Sequence, residues 1–126
     1  MKTKTPTVLK STEKQIETSI LHYLATLNIF CWKQNTVGVF DSKLGVYRKP
    51  HSPFIISGIC DILGILPVYT SSGKVGKLLC IEIKVPSRRN NLTDNQKNFM
   101  DRVNANGGIA FVATSIEDVK IKLGLN

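Results

Sequence analysis

The sequence predicts an α/β domain, a mixed β-sheet flanked by helices, on three observations. Two apolar stretches, "ICDILGILPVY" (59–69) and "KLLCIEIKV" (77–85), read as strands and are joined by the turn-rich "TSSGKVG". Segments of helical period, opened by hydroxyl residues suited to capping, stand before and after them. The chain has 126 residues, 42% of them hydrophobic, enough for one domain with an ordinary core.

Taken in order, residues 1–10 read as a loose basic arm. Ser11 or Thr12 caps a helix running to about Leu27, with Ile16, Ile20, Tyr23, Leu24 and Leu27 at helical spacing. "IFCWKQN", Ile29 to Asn35, is a strand with Trp32 assigned to the core. "VGVF" and "GVYRK" flank "DSKLG" as a short hairpin, and "HSPFIISG" is a loop. The two long apolar strands follow. "TDNQKNFMDRVNANGG" is a helix with a Thr93–Gln96 capping box and a Gly107-Gly108 stop. "IAFVAT" is a last strand, and Ser115 caps a helix from Ile116 to about Leu123. Helix, antiparallel strands, helix, strand, helix is the order of a mixed sheet covered by helices.

The charge is strongly basic: 17 Lys and Arg against 9 Asp and Glu, net +8. An anionic partner is expected, and nucleic acid is the commonest one. No apolar run reaches the roughly 18 residues of a membrane span, and "MKTKTPTVLKSTEK" lacks the apolar centre of a signal peptide. No membrane role and a cytoplasmic location are therefore expected. Cys31, Cys60 and Cys80 are widely spaced and odd in number, which suits reduced core thiols.

The chemistry concentrates in three residues. Asp61 opens one apolar strand, Glu82 interrupts the next, and Lys84 follows on the same face, about 6.6 Å further along. An exposed Glu/Lys pair on a strand is ordinarily a weak surface ion pair. Here both neighbours of Glu82 are isoleucines, and Asp61 also lies within apolar sequence. Two acids pushed into neighbouring apolar strands are costly unless a cation stabilises them. A pair of carboxylates suits Mg²⁺ or Mn²⁺, and a lysine beside it can orient the attacking water and offset transition-state charge. Gly58, three residues before Asp61, allows something to approach the backbone closely.

"SGICDILGI" and "KLLCIEIKVPSRRNNLTDNQKNFMDRVNANGGIAFVA" together resemble the VRR-NUC branch of the PD-(D/E)XK nucleases, and the resemblance runs from the first helix to about Ala113. It is carried by Asp61, Glu82-Ile83-Lys84, the Thr93-Asp94-Asn95-Gln96 helix start, Gly58 and Gly107-Gly108. Cys60 stands where the superfamily's name has proline, a residue that shapes the strand without doing chemistry. The resemblance implies a single restriction-endonuclease-like domain over 1–126, with DNA cleavage dependent on Mg²⁺ or Mn²⁺. It further implies a homodimer acting on branched DNA such as four-way (Holliday) junctions, a role suited to a phage or mobile element. Asp61 and Glu82 would bind the metal with the Ile83 carbonyl, and Lys84 would activate the nucleophile. A glutamate of the first helix would assist through metal or water. Glu13 matches the family's position and falls near the centre of the Ile16-Ile20-Leu24 stripe, whereas Glu17 falls toward its margin. Gln96 has two roles open to it, capping its helix and contacting the scissile phosphate or the attacking water.

Arg88, Arg89, Asn90 and Lys97 lie where flanking phosphates would pass, and Lys33, Gln34 and Asn35 form a second candidate phosphate-contact set. No sequence-reading motif is evident, which favours recognition of DNA shape. His22 and His51 are assigned no catalytic role. A basic DNA-binding module without catalysis and a flap- or restriction-type nuclease are the alternatives.

Overall fold

The computed structural model describes residues 10–34, 39–48 and 52–125. Helix α1 spans Glu13–Thr26 and is closed at its N-terminus by Thr12 and Gln15 in a capping box. Strand β1 is Phe30–Lys33; β2, Val39–Asp41, and β3, Val46–Arg48, form the expected hairpin as a separate two-stranded sheet. Strands β4 (Ile62–Thr70) and β5 (Gly73–Ile83) lead through a single 3-10 turn, Pro86–Arg88, to helix α2 (Asp94–Ala105). Strand β6 is Ile109–Ala113, and helix α3 is Ile116–Leu123 with Ser115 as its cap.

The main sheet has the order β1-β4-β5-β6. Strand β4 runs antiparallel to both of its neighbours, β1 and β5, and β6 runs parallel to β5 after the α2 crossover. Helices cover both faces. On one side α1 and α3 pack Ile16, Ile20, Leu24 and Val119 against Ile62, Leu79, Ile81 and Ile83. On the other, α2 packs Met100 and Val103 against Cys60, Cys80 and Ala110. Alternation along β5 therefore serves two cores at once, which is why its end reads as continuously apolar. Glu82 takes a place on the α2 side of that run.

Three expectations are corrected. The stretch 70–76 is mostly strand: the reversal takes only Ser71 and Ser72, and Thr70 Oγ1 donates to the Gly73 carbonyl at 2.9 Å. Trp32 is not core. It is exposed on edge strand β1, its ring near Phe30 and its Nε1 donating to Gln34 Oε1 at 3.3 Å. The reason is parity: Cys31 takes the face toward α1, and among the described residues no helix covers the other face at β1. Asp61 stands one residue before β4 and not within it. Among the described residues no helix is long and apolar enough to cross a membrane.

Candidate active site

The start of β4 and the end of β5 are neighbours, because Ile62 pairs with Ile81. Asp61 thereby comes beside Glu82. Its position is fixed twice. The Ile83 N–H donates to Asp61 Oδ2 at 2.8 Å, and the Asp61 carbonyl accepts from the Gln34 N–H at 2.7 Å. Glu82 is only 4% exposed. Its Oε1 accepts from Gln96 Nε2 at 3.0 Å, and its Oε2 is buried with no hydrogen-bond partner among the described residues. Burial pushes the Glu82 pKa up to about 8, with the Asp61 charge adding to it. The Lys84 charge opposes the shift, and the Glu13 charge supports it.

Gln96 fills the capping role, and the other end of its amide takes a partner that the sequence did not name, Glu82. Oε1 accepts from the Thr93 N–H at 2.9 Å, and Nε2 holds Glu82. The α2 N-terminus is seated against Gly58, which has φ +81°; a Cβ there would collide with the backbone of Asn95 and Gln96. The close approach expected at Gly58 is thus the first turn of α2. Lys84 leaves β5 half-buried, its N–H donating to the Ala113 carbonyl at 3.1 Å.

The first-helix acids reverse the stripe argument. Glu17 is buried and pairs with Lys33 Nζ at 3.1 Å, while Glu13 is exposed at the N-terminal turn. Helix angle alone misjudged the covered arc, because β1 and Lys33 close over Glu17. Glu13 is nevertheless the helix acid whose charge reaches Glu82. Among the described residues no group of three or more His, Cys, Asp or Glu side chains is assembled for a metal ion. The pair Asp61–Glu82 comes together, and Glu13 stands outside it. The pair still suits a hard divalent cation: its donors are carboxylate oxygens, and one of them is buried without a partner.

The basic residues divide. Arg88, Asn90 and Lys97 are exposed beyond the end of β5 and on the first turn of α2. Arg89 is engaged, donating from Nη2 to Thr114 Oγ1 at 2.8 Å and to Asp118 Oδ2 at 2.9 Å. Lys33 is tied to Glu17, Gln34 is bonded to Trp32, and Asn35 and His51 lie outside the described residues. His22 is exposed. Asp118, which sequence reading passed over, also accepts from the Thr114 N–H at 2.8 Å, and it anchors Arg89. Its signal was faint: an acid three residues after the Ser115 cap. All three cysteines are free. Buried Cys60 has its pKa raised by a hydrogen bond to Cys80, then by burial and by the Glu82 and Asp61 charges.

A scan against protein-family models, a search of curated proteins and a search of solved structures each found no match.

Proposed function

We propose that this protein is a metal-dependent endonuclease with a restriction-endonuclease-like core, which hydrolyses phosphodiester bonds in branched DNA as a homodimer. The observation that carries this reading is the buried, unpartnered Glu82 Oε2 beside Asp61, with Lys84 on the same strand end. A carboxylate oxygen left without a partner inside a protein costs several kcal/mol, of order 1–3 or more. Such a cost is understandable when the oxygen has a cation to receive.

Asp61 and Glu82 would hold Mg²⁺ or Mn²⁺, with the Ile83 carbonyl as a further donor. Once bound, that ion would supply positive charge at the scissile phosphate and a lowered pKa for the attacking water. The protein's own residues do the rest. Gln96 fixes the rotamer of Glu82. The Ile83 N–H fixes Asp61. Lys84 brings a cation toward the charge that develops at phosphorus. Glu13 adds negative charge near the site and suits a water-holding role. Arg88, Asn90 and Lys97 supply groups for flanking phosphates, and none reads base edges.

A non-catalytic DNA-binding module on the same scaffold is the weaker reading. Binding a polyanion gains nothing from a buried acid pair, and Glu82 opposes it. The test is incubation with linear, flap and four-way DNA of matched sequence, with Mg²⁺ and with a chelator. Cleavage of the junction that the chelator stops is expected. Binding without cleavage at any divalent metal would select the non-catalytic module.

A further inference from the structure

The face of the sheet that carries Glu82 is covered by α2 only over β5 and β6. Leu63 of β4 still packs beneath that helix, but over β1 and the outer parts of β4 and β5 no helix among the described residues covers this face. Register places Phe30 beside Ile65, and Ile65 beside Leu78, so the three form one row across three strands. They are 68%, 46% and 44% exposed. Trp32 stands in the next row with Leu63 and Cys80, and exposed Tyr69 lies two rows beyond Ile65. Gly76 keeps the floor flat, because a Cβ there would lie 2.8 Å from Ile65 Cγ2. The Asp61–Glu82 row lies on the same face, four residues along the strands from this one, or about 13 Å.

We infer that this row is the surface on which a second copy of the chain docks, sheet face to sheet face. Phe30, Trp32, Ile65, Tyr69 and Leu78 together expose on the order of 500 Å² of side chain, most of the roughly 800 Å² a standard interface takes from each partner. Monomeric proteins seldom leave an apolar patch of this extent uncovered. DNA is the poorer occupant. Neither the Phe30–Ile65–Leu78 row nor the rows on either side of it carry a lysine or arginine. Of the exposed cations, Arg88 and Lys97 sit at the other end, while Lys74, opposite Tyr69, stands at the outer margin of this face. A second copy, in preference to an unrelated protein, rests on the proposed reaction: a four-way junction needs two cuts, and the chain supplies one Asp61–Glu82 pair. A two-fold contact would set two such pairs symmetrically beside one interface.

The test is the mass of the full chain by sedimentation equilibrium at tens of micromolar. The wild type should have the mass of two chains. Ile65→Lys and Leu78→Lys should fall to one chain with unchanged far-UV circular dichroism. Val75→Lys, on the opposite face of the same hairpin, should stay at two. If the lysine variants lose their fold, Ile65→Thr and Leu78→Thr should still weaken association at least tenfold. Rising salt should tighten the contact, because two chains of net charge +8 repel each other. A wild-type monomer, a dimer that these variants leave intact, or one that salt dissolves would overturn the assignment. So would variants that lose DNA affinity without any change of mass. The mass and the cleavage assay are independent: a dimer that never cuts DNA keeps the interface and removes the nuclease, and a monomer that cuts does the reverse.

Discussion

The two ends of the β4–β5 hairpin break the rule of apolar inside and polar outside in opposite directions. At the Asp61–Glu82 end a carboxylate is buried under α2 with one oxygen unpartnered. Toward the other end, on the same face, Phe30, Ile65, Leu78 and Tyr69 stand in solvent. The informative residues in a fold are those that are polar and buried, or large, apolar and exposed. Each kind of exception leaves a group needing something from outside the chain. The buried acid asks for a cation and the bare row for an apolar surface. Both belong to one rigid ladder, so whatever covers the row is held in fixed relation to the acids.

The sharpest break is Lys84→Ala. If the acid end is catalytic, this change should reduce cleavage by about 10³-fold or more and leave DNA affinity and fold nearly intact, since the charge is needed mainly in the transition state. It should also raise the Glu82 pKa further, because the Lys84 charge lowers it. Single-turnover cleavage rates beside equilibrium binding decide the matter. Turnover like that of the wild type removes Lys84 from the mechanism.

Glu82→Gln separates cost from function. The folded pKa of Glu82, about 8, lies above the ordinary 4.5, so between those values the folded state holds a proton that the unfolded state has released. Stability without metal is therefore highest below about pH 4.5 on this account and falls as pH rises toward 8, by on the order of 3 kcal/mol at pH 7. Glutamine removes the ionisation and should raise the melting temperature at pH 7 to 8 in chelator, with little gain at pH 5. Mg²⁺ should stabilise the wild type, increasingly with pH, and should not stabilise the variant. Equal Mg²⁺ stabilisation of both proteins would mean that Glu82 is no ligand.

Much of this was legible in the sequence where local chemistry and tertiary packing agree. The Thr93–Gln96 capping box, the Ser115 cap and the apolar hairpin strands all follow from short-range patterns. So does the Asp61–Glu82 pair, because intrusion of acids into apolar strands is visible without coordinates. What could not be read is what lies opposite a given face. Trp32 has the composition of a core residue, yet β1 is an edge strand and its ring stands on the α2 face of the sheet, beyond where that helix packs. Glu17 lies off the centre of the helical stripe, yet Lys33 closes over it. The exposed row depends on register between three strands, a long-range property with no local signature.

The two neighbouring arginines give a smaller contrast of the same kind. Sequence treats Arg88 and Arg89 alike, and the structure does not. Arg89 ties the turn after β5 to Thr114 and Asp118. Its loss should cost about 1 kcal/mol of stability, as for an ordinary partly exposed hydrogen-bonded pair. Asp118 has its pKa lowered, because hydrogen bonds from Thr114 and Arg89 outweigh its partial burial. A depressed carboxyl pKa stabilises the fold above its unfolded value and is lost as pH falls through the folded one, so the Arg89→Ala deficit should shrink in acid. Urea titrations at neutral and acid pH measure it.

Arg88 is exposed, and no ion pair or side-chain hydrogen bond engages it among the described residues. Arg88→Glu should leave stability within about 0.5 kcal/mol of the wild type. On the proposed function its effect is on DNA binding. Removing a single phosphate interaction lowers the slope of log affinity against log salt by about 0.9, equally for linear and branched substrates, since a backbone interaction carries no sequence information. Fluorescence anisotropy across a salt series on both substrates would show it. A changed slope for the junction alone would move Arg88 from general phosphate binding to branch recognition. An unchanged slope for both would place the turn after β5 off the DNA path, leaving Lys97 and Asn90 as the exposed groups beside the acid pair.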